Sequence, residues 1–179
     1  MIKLRSSKKK ISVLITVFNG EDHIEKCLLS LKLQTYKNWE AIIIDDKSTD
    51  NTLKIIKKCF TDKRFKLIAL KKNIGRIRAV NYGLTKCSGD YIAILDSDDI
   101  ANKNRLKKQI EFFKKNKQAK IVASFAHKID KKGKIIGKFI GPTNIQEIKN
   151  TLMTFNFIPH STIMYCQKYA RKIKAIPYK

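Results

Sequence analysis

The 179-residue sequence has no apolar run able to cross a bilayer; stretches such as 41–44 and 91–95 fall far short of the roughly 20 residues a membrane helix needs. No CxxC pair occurs. Cys27, Cys59, Cys87 and Cys166 each sit in an apolar stretch, so they read as small reduced hydrophobes of a cytoplasmic protein, and with three histidines they show no zinc spacing. The chain also lacks GxxxxGK(S/T) and GxGxxG, which disfavours a P-loop or a dinucleotide site. After the basic start, the run from Ile11 to Val17 is too short for a secretory core and has no small-residue cleavage site, so secretion is not expected. Acids are scarce as well: 15 Asp and Glu face 39 Lys and Arg, a net charge of +24. Such a surface attracts polyanions, and nucleic acid, an anionic membrane face and phosphate-bearing substrates all qualify. Plain lysine usage at exposed positions explains the excess equally well.

What is present points to one α/β domain. Hydrophobic residues make up 43% of the chain and charged residues 30%, near globular averages. Strand-like runs at 11–17, 40–44, 66–70, 91–95, 121–126 and 161–166 alternate with helical periods, which predicts a mostly parallel sheet flanked by helices. Helices are predicted over 21–36 (Ile24, Cys27, Leu28 and Leu31 inward), from about Asp50 (Leu53, Ile56, Phe60), over 76–87 (Ile77, Val80, Leu84) and over 103–117 (Leu106, Ile110, Phe113). Lys131-Lys132-Gly133 reads as a hairpin turn, and Thr143 to Gln146 as a capping box opening a helix through Met153. Residues 1–10 form a basic lead, 11–166 the domain and 167–179 a basic tail.

Six of the 15 acids crowd into Asp45-Asp46-Lys47-Ser48-Thr49-Asp50 and Asp96-Ser97-Asp98-Asp99, each directly after a predicted strand. Carboxylates repel unless a cation lies between them, so the crowding predicts a divalent metal, with Mg²⁺ or Mn²⁺ selected by oxygen ligands. Helix capping accounts for Asp50 and Asp99 but not for all six. In open α/β sheets ligands gather beyond the carboxyl ends of the strands.

The chain resembles family 2 of the inverting, nucleotide-sugar-dependent glycosyltransferases, which have the GT-A fold, a Rossmann-like α/β sheet. The resemblance spans Ile11 to about Tyr165 and rests on SVLITVFN (12–19), QTY (34–36), WEAIIIDDKSTD (39–50), NIGRIRAVNYG (73–83), GDYIAILDSDD (89–99) and HSTIMY (160–165). It implies that Thr16, Val17, Asn19 and Glu21 border the nucleotide. Asp46 would accept from the base, usually uracil, with Asp45 shaping that pocket. Asp96 and Asp98 would form the DxD, Asp96 near the ribose and Asp98 on a Mn²⁺ or Mg²⁺ ion that bridges the diphosphate. Arg76 and Arg78 would contact the diphosphate, and His160 would lie near the acceptor side. Trp39 and Tyr36 read as core residues, His23 and His127 as structural ones.

The family's usual general base, an acid beyond the segment matching His160, has no counterpart, since no Asp or Glu follows Glu147. Three readings stay open: a shortened enzyme, a transferase in which His160 or a partner subunit replaces the base, and a noncatalytic nucleotide-sugar or polyanion-binding module. The expected partners are a nucleotide-diphosphate sugar and a glycan, protein or lipid-linked acceptor. Nucleic acid is not expected, because the acidic clusters would repel its backbone. The basic helix 103–117 and both basic ends suit peripheral contact with an anionic membrane on the cytoplasmic side.

Overall fold

A computed structural model describes residues 9–59 and 62–172. The order is β1 (Ile11–Val17), α1 (Ile24–Lys32), β2 (Trp39–Asp45), α2 (Thr52–Cys59), β3 (Phe65–Ala69), α3 (Arg76–Lys86), β4 (Tyr91–Ile94), α4 (Arg105–Lys115), β5 (Ile121–Val122), β6 (Ala126–Ile129), β7 (Ile135–Phe139), α5 (Ile145–Thr154), a 3₁₀ turn (His160–Thr162), β8 (Met164–Cys166) and α6 (Gln167–Lys172). A six-stranded sheet runs β3-β2-β1-β4-β8-β5, and β6 and β7 form a separate hairpin. Strands β3, β2, β1 and β4 are parallel, whereas β8 enters antiparallel between β4 and β5.

The parallel strands are apolar on both faces because helices cover both. Ile11, Val13, Ile15, Ile43 and Ala93 pack under α1, α2 and α4 with Ile24, Leu28, Leu31, Ile56, Leu106 and Ile110. Leu14, Ile42, Ile44, Ile92 and Ile94 face α3 on the other side. There α3 sits close to the sheet at Gly83, where an added Cβ would run into the side chains of Leu14 and Ile44. Tyr36 and Trp39 are buried, Trp39 edge-on to Phe65 with the Arg64 guanidinium over its indole.

Several expected boundaries shift. Helix α1 starts only at Ile24, after a turn in which Gly20 O accepts from the His23 and Ile24 amides. The strand predicted over 121–126 breaks into β5 and the start of β6, and the one over 161–166 is a 3₁₀ turn followed by β8. In α3 the inward positions are Ala79 and Gly83, while Ile77 is exposed and Val80 and Leu84 are half-buried. Helix α5 is capped by Asn144, not by the expected Thr143, its side chain accepting from the amides of Gln146 and Glu147. Phe60 and the tail beyond Lys172 lie outside the described residues. No helix among the described residues is long and apolar enough to cross a membrane.

Candidate active site

Parallel strands β1, β2 and β4 end side by side, so the segments that follow them meet at one rim. Val17 accepts at its carbonyl from the Asp46 amide, at 2.8 Å, which ties the end of β1 to the end of β2. Asn19, in the left-handed region at φ 51°, donates its amide to Ser48 Oγ, and its Oδ1 accepts from the Thr49 amide at 2.8 Å. Thr16 is half-buried one residue earlier. The Glu21 carboxylate accepts from both the amide and the side chain of Asn51 at 2.9 Å, so it braces the start of α2. Asp50 assists there by accepting from the Glu21 and Thr52 amides.

The two aspartates closing β2 are both buried and differ in use. Asp46 accepts the Ile74 amide on Oδ1 at 2.8 Å and the Gly75 amide on Oδ2 at 2.9 Å, while Asn73 donates to its carbonyl. Its carboxylate therefore fixes the approach to α3. Gly75 is at φ 83°, a conformation that L side chains rarely adopt. Asp45 accepts the Ser48 amide on Oδ2, and its buried Oδ1 has no partner among the described residues. A lone buried acceptor of this kind is costly unless something else supplies a donor.

Across the rim, Arg76 at the start of α3 donates from Nη2 to Asp96 Oδ1 at 2.8 Å, and His160 Nδ1 lies 3.4 Å from the same nitrogen and 3.5 Å from the same oxygen. Arg76, Asp96 and His160 thus converge from α3, the end of β4 and the 3₁₀ turn. Burial opposes the charge on Asp96, but the hydrogen bond with His160 and the Arg76 guanidinium outweigh it and hold the carboxyl below its usual range. Partial burial, with the charges of Asp98 and Asp96, pushes Asp99 the other way. Asp99 does not cap the next helix, whose cap position is Asn104. Asp98 is exposed and makes no ion pair among the described residues. Arg78 does not join this group; it is exposed and leaves α3 about 200° around the helix from Arg76, at about 100° per residue. His23 and His127 are exposed.

No cluster of three or more His, Cys, Asp or Glu able to hold a metal occurs among the described residues. An all-protein cage is thus lacking. The donor set fits only an ion that takes most of its ligands from a bound diphosphate and water, an arrangement Mg²⁺ commonly adopts with one or two carboxylates.

Sequence reasoning passed over Arg105. It is one cation of the basic helix 103–117, yet its guanidinium donates to the carbonyls of Ile94 and Ile163, with its Nε on Gln109. Burial pulls its pKa down to about 10, against the opposing charge of Asp99. The available signal was position: Arg105 lies one turn before Gln109, next to Leu106 on the covered side of α4.

Among curated relatives, Escherichia coli WfgD, a UDP-Glc:alpha-D-GlcNAc-diphosphoundecaprenol beta-1,3-glucosyltransferase, is 37% identical over 136 residues, covering 75% of this chain and 52% of WfgD. The structure of S. aureus TarS 1–349 in complex with UDP-GlcNAc superimposes with a TM-score of 0.75 at 24% identity, covering 92% of this chain and 47% of that one. The mannosyltransferase PcManGT from Pyrobaculum calidifontis, in complex with GDP-Man and Mn²⁺, does so with a TM-score of 0.70 at 15% identity, covering 96% and 48%. These two likenesses place the fold in the GT-A class. The chain spans about half the length, or less, of the curated relatives it matches. Residues 12–173 match the profile of Glycosyl transferase family 2, and the chain belongs to that family.

Proposed function

We propose that this chain forms the donor-binding half of an inverting glycosyltransferase, taking a sugar from a nucleotide diphosphate, most readily UDP, to a hydroxyl of a glycan or lipid-linked acceptor. The carrying observation is the rim itself: in a chain of net charge +24, the exposed Asp98 carboxylate makes no ion pair among the described residues, two residues after the Asp96 on which Arg76 and His160 converge. Support for the donor class comes from WfgD, whose name specifies UDP-Glc, and from the UDP-GlcNAc and GDP-Man complexes of the two structural neighbours.

In this reading Thr16, Val17 and Asn19 border the nucleotide, with Glu21 bracing that border through Asn51. The base lies against the Asp45–Asp46 turn, which Asp46 shapes by holding the backbone of Ile74 and Gly75, with Asp45 buried beneath it. Asp96 faces the ribose. Arg76 exchanges Asp96 for the diphosphate, where its cation stabilises the charge that builds as the anomeric carbon separates from the leaving group. Arg78 adds long-range attraction from the outer side of α3. Asp98 would hold Mn²⁺ or Mg²⁺, which when bound supplies positive charge to the diphosphate. The activity belongs at the cytoplasmic face of a membrane, where the basic outer side of α4 suits anionic lipid.

One observation favours a second reading, in which the chain binds donor without transferring sugar. The Nδ1 of His160 lies 3.4 Å from Arg76 Nη2, and when it accepts that hydrogen bond the ring proton sits on Nε2, which then cannot take a proton from an acceptor hydroxyl. Thermal unfolding with UDP, GDP and Mn²⁺ tests both readings. A rise in Tm with nucleotide plus Mn²⁺ that Asp98→Ala removes is the expected result, and no shift with any nucleotide overturns the donor site. Release of UDP from UDP-glucose above background, once binding is established, rejects the noncatalytic reading.

A further inference from the structure

The β4–β8 ladder ends in an irregular way just behind the rim. Ile94 donates its amide to Ile163 O at 2.9 Å, and in an antiparallel ladder the reciprocal bond would run from the Ile163 amide to Ile94 O. Instead the Ile163 amide turns back to His160 O at 3.2 Å, closing the 3₁₀ turn that presents His160. The orphaned Ile94 carbonyl is taken by Arg105 Nη2 at 2.8 Å, and the same nitrogen reaches Ile163 O at 3.3 Å. One turn along α4, Gln109 accepts from Arg105 Nε and donates from Nε2 to Thr162 O at 2.8 Å and to Ser124 Oγ at 2.9 Å.

We infer that Arg105 is a positioning residue: its guanidinium stands in for the missing strand donor between Ile94 and Ile163, and so fixes the His160 turn relative to the Asp96–Asp98 segment. The role in the reaction rests on reading this rim as the donor site; the clamp itself does not. A planar guanidinium suits this task because one group serves two carbonyls and the Gln109 oxygen at once. A lysine ammonium on a flexible stem keeps the charge without that geometry. The clamp also gives a route by which donor binding at Arg76 and Asp96 is felt at Thr162 and Ile163.

Amide hydrogen exchange on the chain, with and without UDP plus Mn²⁺, tests this. Arg105→Met is expected to speed exchange at Thr162 and Ile163 by roughly tenfold or more while the amides of Ile43 and Ile44 keep their rates, because the loss is local. Arg105→Lys is expected to behave like Arg105→Met. In the parent chain UDP plus Mn²⁺ slows exchange at Thr162 and Ile163; in Arg105→Met the nucleotide binds within about threefold of the parent affinity, yet that protection is lost. Gln109→Leu, which keeps the cation, loosens the same two amides and serves if Arg105→Met does not fold. The inference is overturned if these amides exchange at parent rates in Arg105→Met or Gln109→Leu, or if Arg105→Lys restores them fully. Failure of UDP to bind the parent chain defeats the donor-site reading alone and leaves the exchange result without nucleotide to decide the clamp.

Discussion

The two ends of the central sheet treat their carboxylates in opposite ways. At the amino end, Glu40 on β2 is buried and receives Lys10 and Lys66, both at 2.8 Å, the Ser12 and Ser88 hydroxyls at 2.7 Å, and the Ser88 amide. Burial alone would raise its pKa, but these donors drive it far below the usual carboxylate range. At the carboxyl end, among the described residues, a buried oxygen of Asp45 has no partner, Asp98 has no ion pair, and Asp96 shares one exposed arginine. A chain with so many lysines neutralises an acid wherever stability requires it. Asp98, left exposed at the converging strand ends without an ion pair among the described residues, is where the proposed cation from outside would sit.

The largest expected effect breaks the amino end. Glu40→Gln keeps one oxygen for the Ser12 and Ser88 donors but sets an amide nitrogen against Lys10 and Lys66, and should cost about 2–4 kcal/mol, measured by urea unfolding at neutral pH. The pH dependence carries the same sign: with a folded pKa below the ordinary 4.5, Glu40 contributes stability above about pH 5 that is lost as the pH falls through 4.5 and on toward the folded value. Glu40→Gln should flatten this acid-side loss, and UDP binding by the folded variant should stay at the parent level. Next in size, Arg76→Met should weaken UDP binding about tenfold, equivalent to about 1.4 kcal/mol, while moving stability by less than about 1 kcal/mol because the Arg76–Asp96 pair is largely exposed. Calorimetric titration and thermal unfolding check the two halves. Smallest is Lys9→Ala: its pair with Asp90 lies in solvent, so stability should change by about 0.5 kcal/mol or less.

Legibility in the sequence followed the same division between local and long-range signals. Strands β1 to β4 and helices α1, α2 and α4 could be read because each carries its period within its own residues, and Ile24, Cys27, Leu28 and Leu31 are all buried as spaced, whereas α3 was legible as a helix but not in its inward face. Beyond residue 120 the elements depend on distant partners. Strand β5 has two residues and exists by pairing with β8, which itself pairs with β4. Helix α5 buries none of its residues, so its apolar positions say little about packing. In the site, the acidic clusters were readable as crowding, whereas their division of labour was not: which oxygen of Asp45 stays free depends on a backbone turn at Ser48. Arg105 was hidden because a cation that bonds main-chain carbonyls and a solvated one look alike in a lysine-rich helix.

The central claim is that Asp98 holds a divalent ion jointly with a nucleotide diphosphate. Titration of Mn²⁺ into the parent chain and into Asp98→Asn, each with and without saturating UDP, tests it most directly. Weak Mn²⁺ binding alone is expected, with affinity raised about tenfold or more by UDP in the parent chain and that gain lost in Asp98→Asn. Equal Mn²⁺ affinity with and without UDP, or the same gain in the variant, would contradict it.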